Sequence, residues 1–411
     1  MEGMRMRFKL RGARLVDAST DLAAGDILIA DDTLAAVAAS MPGSDPDDDP
    51  EMITVPVDDM IVTPGFLDAH THGGGGFNLH TDDPAEIAAF AAWAPSTGLT
   101  SFLVAVVGAP YALPEPQIRA AVAACERAAV GANDGSVAAE PVGVFLEGPY
   151  INGARRGAHL ASWLRPPDLD EVNYLLELAA GHLRLITVAP ELPGAPPVIR
   201  RLVEAGVTVS IGHSDATYEQ TLEAIGLGVT HMTHCCNAMR PLYHRDPGPL
   251  AAVALAPQVM GELIADGVHV HPAMTAIVEK IFGPERLIVI TDAQPGAGKE
   301  GATFEFAGQP LHVERGAARL ADGAIAGSVL TMDQALRNAL RMMGVSLSEA
   351  VGMLTLNPAR AIHLDDRKGR LRRGYDADLL LFSADLTLQA TFCRGQLAYA
   401  SEAWRSRLAG L

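Results

Sequence analysis

The sequence predicts an α/β fold, a (β/α)8 TIM-like barrel with a small flanking β-sandwich domain built from both chain ends. Three observations carry this. From Met60 onward, short apolar runs alternate with Ala- and Leu-rich helical segments, the pattern of βα units around a parallel sheet. Eight such runs can be counted, enough to close a barrel whose functional site lies at the C-terminal strand ends. Both chain ends, by contrast, read as short strands broken by turn residues.

In chain order, 8–16, 25–30 and 33–38 have the patterning of short strands, and the Pro/Asp-rich stretch 43–51 reads as a solvated acidic connection. Barrel strands are expected at 61–69, 99–106, 141–146, 183–188, 206–211, 229–233, 259–265 and 286–291. Helices fall between them, for example at 84–94, 116–129, 168–179 and 218–225, and a last helix is expected at 346–363. Gly374-Tyr375-Asp376-Ala377-Asp378 then leads into a strand at 379–382. The expected division is a catalytic barrel at 59–364, with 1–58 and 365–411 forming one small β domain.

Composition narrows the function. A hydrophobic content of 49% with 5% aromatic residues suits an Ala/Val/Leu-rich packed core rather than disorder. The net charge of −18 argues against nucleic acid or an acidic membrane surface, and means that an anionic substrate must be caught by locally placed arginines. Four cysteines (Cys125, Cys235, Cys236, Cys393) show no paired spacing, which suits a reducing compartment. No stretch has the apolar length of a secretory signal or a membrane span. A cytoplasmic protein without membrane or nucleic-acid partners is expected.

The chemistry gathers at strand ends. The first barrel strand runs through Pro64-Gly65-Phe66-Leu67-Asp68-Ala69 into His70-Thr71-His72, an alternation that turns both imidazoles to one side. Gly73 to Gly76 follow, letting the backbone turn sharply and approach a ligand. Later strands end on Glu147, His213, His234 and Asp292. Singly, each has a structural explanation: Glu147 as a helix cap, His213 as a satisfied barrel histidine. Five polar placements at five strand ends point instead to one site. A divalent ion held by Glu147, His213 and His234 would lower the pKa of water from 15.7 toward about 7. Asp292 could take that proton and return it to a leaving amine. His269, after the seventh strand, could polarise a scissile carbonyl. That set describes amide hydrolysis. Many hydrolases of this architecture bridge two metals with a carbamylated lysine, but Lys9, Lys280, Lys299 and Lys368 are the only lysines and none ends a barrel strand. Glu147 is therefore the expected carboxylate ligand.

With these residues in hand, the sequence resembles the amidohydrolase superfamily, and within it the N-acetylglucosamine-6-phosphate deacetylases. The resemblance rests on Leu146-Glu147-Gly148-Pro149-Tyr150-Ile151 with Arg156-Gly157-Ala158-His159, and on Gly212-His213-Ser214-Asp215-Ala216. His234 to Met239 with His244-Arg245-Asp246-Pro247-Gly248 adds a third motif, and Ala265-Asp266-Gly267-Val268-His269-Val270 a fourth. Thr291-Asp292-Ala293 and Ala326-Gly327-Ser328 support them. The resemblance implies metal ligation by Glu147, His213 and His234, with Asp292 as general base and acid. It places Ala158, His159 and His269 on the sugar and its acetamide, Asn237, Ala238 and Arg245 on the phosphate, and the backbone of Ile325, Ala326 and Gly327 along the sugar. It implies a homodimer, because the arginine at the Arg245 position reaches into a neighbouring subunit in that family. Zinc is the expected ion at one site, and the retained His70 and His72 leave room for a second ion bridged by Glu147. The implied substrate is a phosphorylated N-acetyl amino sugar.

Departures from the family pattern are Cys235-Cys236, read as packing, and Asn78, where an acidic residue is common. His80, His231 and His271 read as solvated or supporting; Arg155, Arg156 and His244 read either as loop charges or as aids to the phosphate. Competing readings are a deacetylase for N-acetylgalactosamine 6-phosphate, an N-acyl-amino-acid deacylase or cyclic-amide hydrolase, and a metal-free scaffold, which should have lost ligands.

Overall fold

The computed structural model describes residues 7–40, 52–130, 137–299, 303–314, 316–321 and 323–411; the acidic connection expected at 43–51 lies outside the described residues. Eight parallel strands form one sheet in chain order: β1 (Phe66–Asp68), β2 (Leu99–Val106), β3 (Glu140–Glu147), β4 (Leu183–Val188), β5 (Thr208–Ile211), β6 (His231–Met232), β7 (Met260–Ile264) and β8 (Leu287–Ile290). Side chains and backbone beyond the last strand bring the ends of the sheet together. The Asp292 N–H donates to the His70 carbonyl at 2.8 Å, and the Thr291 hydroxyl to Asp68 Oδ2 at 2.5 Å.

Period-2 alternation splits each strand between two apolar environments. Leu67, Leu103, Ala105, Phe145, Leu185, Ile264, Ile288 and Ile290 share one cluster with Ala359, Ile362 and Leu364. Thr208, at the start of β5, donates to the Ala361 carbonyl at 2.6 Å, so the helix Leu356–Ala361 plugs the N-terminal end of the barrel. The opposite end, where the strands finish, is left for chemistry. The other strand faces pack on the surrounding helices, several of which begin at sequence-legible caps. Thr217 with Gln220 and Ser346 with Glu349 each form a reciprocal capping box.

The flanking sheet is assembled from both chain ends. Arg7–Val16 pairs with Asp21–Ala30, Ile53–Pro56 and Ile61–Pro64; the last of these pairs with Leu379–Phe382, which continues into Leu388–Cys393 and Gln396–Ala400. The expected single barrel strand at 61–69 is therefore two strands in two sheets. Pro64 has no N–H to continue a ladder, and at Gly65 a Cβ would sit 2.1 Å from Thr100 Oγ1, so only glycine permits the crossing. The expected helix at 346–363 is also two, Leu347–Leu354 and Leu356–Ala361, broken at Thr355. Pro358 cannot donate to the Leu354 carbonyl, and its ring would collide with it. A four-stranded antiparallel sheet (Thr303–Phe306, Gln309–Glu314, Ala317–Arg319, Ile325–Ser328) and the helix Met332–Met343 follow β8 and were not anticipated. No helix among the described residues is long and apolar enough to cross a membrane.

Barrel and flanking sheet are joined by a buried charge cluster. Lys368 Nζ lies 2.6 Å from Glu140 Oε2, 2.8 Å from Asp376 Oδ2 and 2.7 Å from Asp378 Oδ2. Removing the ammonium leaves three carboxylates facing one another. Lys368→Met is expected to cost about 3–5 kcal/mol, read as a lower urea midpoint at neutral pH. The same cluster governs acid stability. Burial alone would raise the Glu140 carboxyl, but Lys368 and Arg367 outweigh it and hold its pKa at about 2, against the usual 4.5. Its contribution is complete above pH 4.5 and lost as pH falls toward about 2. Glu140→Gln should lose less stability across that window than the wild type.

Candidate active site

Each sequence-predicted ligand is delivered by a strand end. Glu147 is the last residue of β3; His213 follows β5, His234 follows β6, and Asp292 follows β8. His213, His234 and Asp292 have φ of 48°, 26° and 48°. A left-handed backbone at a residue with a Cβ costs about 1–3 kcal/mol and persists where the surrounding fold enforces it. Here such turns bring His213 and His234 onto Glu147, and Asp292 onto His70 and His72.

His213 Nε2 is 3.0 Å from Glu147 Oε1 and 3.0 Å from His234 Nε2, which is itself 3.1 Å from the same oxygen. The His213 Nδ1–H donates to the Arg155 carbonyl at 2.8 Å, leaving Nε2 as a lone pair. A carboxylate oxygen and the His213 lone pair thus meet acceptor to acceptor with His234 Nε2 beside them, an arrangement that suits a cation between them. Ligand atoms bonded at about 2.0–2.2 Å to a tetrahedral ion lie roughly 3.3–3.5 Å apart, close to this spacing.

A second group adjoins the first. His70 Nε2 and His72 Nε2 are 3.3 Å apart, and each faces Asp292 Oδ1, at 3.6 and 3.3 Å. Glu147 spans both groups, with Oε1 3.6 Å from His70 Nε2 and Oε2 3.3 Å from His72 Nε2. The two triads, His70–His72–Asp292 and Glu147–His213–His234, are wholly buried, and their donor sets fit divalent cations. Burial opposes charge throughout, but neighbours override it. Burial would lower the His70 imidazole, yet Asp292, Glu147 and Glu262 raise its pKa well above the usual value. Burial would raise Asp292, yet His70 and His72 hold it low, so it is an ionised carboxylate able to accept a proton.

The remaining predicted residues divide. His159 is buried with Nε2 3.4 Å from Glu147 Oε2, and burial lowers its pKa more than Glu147 raises it. His269 is held by Asp266, which accepts its Nδ1–H at 2.7 Å. The strand Ile325–Ser328 runs beside Asp292: the Ser328 N–H donates to the Asp292 carbonyl at 2.8 Å, and a Cβ on Gly327 would meet that oxygen at 2.8 Å. Ala158 is tied to the same sheet through the Gln309 side chain at 3.2 Å. The Phe306 ring, 5.1 Å from that of His72, makes this sheet a wall of the site. Asn237 and Ala238 are half-buried, the Asn237 amide donating to the Cys235 carbonyl at 3.3 Å. Arg245 is not brought to this cluster by any contact of its own chain. It is exposed and has no hydrogen bond or ion pair among the described residues.

The lesser candidates resolve as follows. His231 is buried on Glu262 at 2.9 Å, His271 caps a helix, and His80 accepts the Val107 N–H while burial lowers its pKa to about 3. Arg155 pairs with Asp215 at 2.7 Å, and Arg156 donates to the His159 carbonyl. The Asn78 side chain accepts the His80 N–H at 2.9 Å. Cys235 packs in the core as expected; Cys236 does not, being exposed on a left-handed turn (φ 76°). The glycine run approaches protein rather than an open site, since a Cβ on Gly75 would lie 2.5 Å from the Trp93 ring.

The amidohydrolase family profile matches residues 61–398. The chain belongs to the amidohydrolase family. A curated N-acetylgalactosamine-6-phosphate deacetylase of Escherichia coli O157:H7 is 33% identical over 96% of this chain and 100% of its own length. An N-acetylglucosamine-6-phosphate deacetylase of Lysinibacillus sphaericus is 34% identical over 82% of this chain and 85% of its own. Among solved structures, an N-acetyl-D-glucosamine-6-phosphate deacetylase mutant of Mycobacterium smegmatis, in complex with N-acetyl-D-glucosamine 6-phosphate, superposes with a TM-score of 0.85 at 35% identity, covering 97% of this chain and 100% of that one.

Two buried carboxylates of this amidohydrolase escaped the sequence analysis. Asp68 accepts the His70 and Thr291 N–H groups and the Thr291 hydroxyl, and burial raises its pKa to about 7. Glu262, on β7, contacts His70 and His231. A lone acidic residue inside the apolar run Val259-Met260-Gly261-Glu262-Leu263-Ile264 was the available signal.

Proposed function

We propose that this amidohydrolase cleaves the acetamide of N-acetyl-D-glucosamine 6-phosphate, giving D-glucosamine 6-phosphate and acetate. The observation that carries the reading is the convergence on Glu147 of four imidazoles from three strand ends, and of His159, with Asp292 beside them. Glu147, His213 and His234 would hold a zinc ion, which would supply Lewis acidity toward water and the acetamide carbonyl, and His70, His72 and Asp292 have the donors for a second. Asp292 takes the proton from the attacking water and returns it to the departing amine. His159 and His269 orient the acetamide, and Ala158 with the backbone of Ile325, Ala326 and Gly327 lines the sugar. Asn237, Ala238 and Arg245 hold the phosphate. The exposed, unpartnered Arg245 suits a homodimer in which it serves the neighbouring subunit. Four free cysteines, three of them buried, suit the cytoplasm.

The test is acetate release from N-acetylglucosamine 6-phosphate with unphosphorylated N-acetylglucosamine alongside, in zinc-supplied and chelated protein. Zinc-dependent turnover of the phosphorylated sugar alone is expected. Zinc-loaded protein that turns over neither sugar would remove the substrate assignment and leave the hydrolase core. The galactosamine epimer is a second reading, favoured by the 33% identity to the Escherichia coli relative over that protein's full length. N-acetylgalactosamine 6-phosphate therefore belongs in the same assay, and a higher kcat/KM for it would reassign the substrate.

Phosphate selectivity has its own expected result. A charge-assisted contact of about 1.5–3 kcal/mol corresponds to roughly 10- to 150-fold. Arg245→Ala should lower kcat/KM for the phosphorylated sugar by about that factor and spare the unphosphorylated one. Equal losses on both would take Arg245 off the phosphate.

A further inference from the structure

Among the described residues, Glu262 is the one fully buried carboxylate in the barrel that belongs to neither ion triad yet touches a residue of each. Its Oε2 is 3.0 Å from His70 Nδ1 and accepts the His234 backbone N–H at 3.2 Å; its Oε1 accepts from His231 Nε2 at 2.9 Å. The Glu262 carbonyl takes the Cys235 N–H at 2.8 Å. An isolated carboxylate inside an apolar barrel is costly, and three N–H donors offset that cost. They also give it a defined action on His70. Because an ionised carboxylate only accepts, His70 Nδ1 carries the hydrogen. Nε2 is therefore the nitrogen left facing His72 Nε2, Asp292 Oδ1 and Glu147 Oε1, and the one whose lone pair a cation there would take.

The alternative tautomer has an evident attraction. With the hydrogen on Nε2, His70 would turn it toward His72 Nε2 at 3.3 Å and the carboxylates of Asp292 and Glu147 at 3.6 Å, and the ring would offer a cation no lone pair. Nothing in the triad prevents this; Glu262 does, from the far side of the ring. The same oxygen fixes the backbone of His234, whose φ of 26° is enforced rather than preferred.

We propose that Glu262 is a positioning residue that sets the His70 tautomer, and thereby makes the His70–His72–Asp292 triad competent to hold an ion beside the one at Glu147–His213–His234. This rests on the reading that both triads bind divalent ions, and the experiment separates the two. Zinc would be titrated calorimetrically into metal-free wild type, Glu262→Leu, Glu262→Gln and Glu262→Leu in a His70→Gln background, with thermal unfolding of each metal-free chain alongside. Wild type should take two ions. Glu262→Leu should weaken one of them by about 10- to 100-fold, the usual effect of losing a partner behind a metal ligand, and leave the other near wild type. Glu262→Gln keeps an oxygen to accept from His70 and should restore most of the loss. In the His70→Gln background, Glu262→Leu should cause no further weakening.

Two ions bound with wild-type affinity in Glu262→Leu would overturn the proposal. So would a uniform loss of both ions with a lowered metal-free unfolding temperature, a chain that does not fold, or undiminished weakening in the His70→Gln background, each of which assigns Glu262 to the fabric of the barrel. A wild type that takes fewer than two ions would instead remove the two-ion reading on which the proposal stands.

Discussion

Asp292→Asn is expected to lower kcat by roughly 10²–10⁴-fold, the usual worth of a positioned proton acceptor. Zinc supplied to the proposed site at Glu147, His213 and His234 should be retained. The substitution keeps the shape of the side chain and an oxygen facing His70 and His72, now 3.6 and 3.3 Å from Asp292 Oδ1. What it removes is the capacity to take a proton. In the native chain that capacity is maintained against burial by His70 and His72, which hold the carboxyl ionised. The acidic limb of the kcat/KM profile should therefore vanish in the variant along with the rate. The measurement is single-turnover acetate release across pH, with metal content determined on the same samples. A variant retaining more than about a tenth of the rate would move the proton acceptor elsewhere, and His159, 3.4 Å from Glu147, would be the next residue to replace.

Glu147→Ala should abolish both metal retention and turnover. Glu147 is the one carboxylate shared by the two triads, within 3.0–3.6 Å of His70, His72, His159, His213 and His234. Without it, His213 and His234 are left with no carboxylate, and His70 and His72 with Asp292 alone, weaker sets for a divalent cation. Metal assistance is worth several kcal/mol, and each 1.36 kcal/mol is tenfold, so a loss of roughly 10³-fold or more is expected. Zinc per chain after dialysis, measured by mass spectrometry beside the rate, checks it. Unchanged zinc content with lost activity would mean that Glu147 acts on substrate rather than on the ion.

Much of this site was legible before any coordinates, and the reason is specific. A parallel barrel carries its chemistry at strand ends, and alternating apolar runs locate strand ends well. Glu147, His213, His234 and Asp292 could be read off in that way, and His70 with His72 by their spacing of two. Glu262 and Asp68 could not, because both lie inside strands where pattern shows a charge but not which face it occupies. The four-stranded sheet that walls the site was missed for a related reason. Its strands are short and mix exposed with buried positions, so no period stands out. The merged strand at 61–69 and merged helix at 346–363 failed at Pro64-Gly65 and Pro358, where a single residue breaks an otherwise continuous apolar pattern.

The sequence by itself determined the barrel, the residue types at its mouth and, through shared motifs, the family. The tertiary structure alone decided that Glu147 reaches both triads, that Glu262 stands behind His70, and that Arg245 is left without a partner among the described residues. Those outcomes depend on residues up to 222 positions apart being brought within hydrogen-bonding range, as in Asp292 beside His70. Barrel closure and register set such distances, and local periodicity carries no information about either.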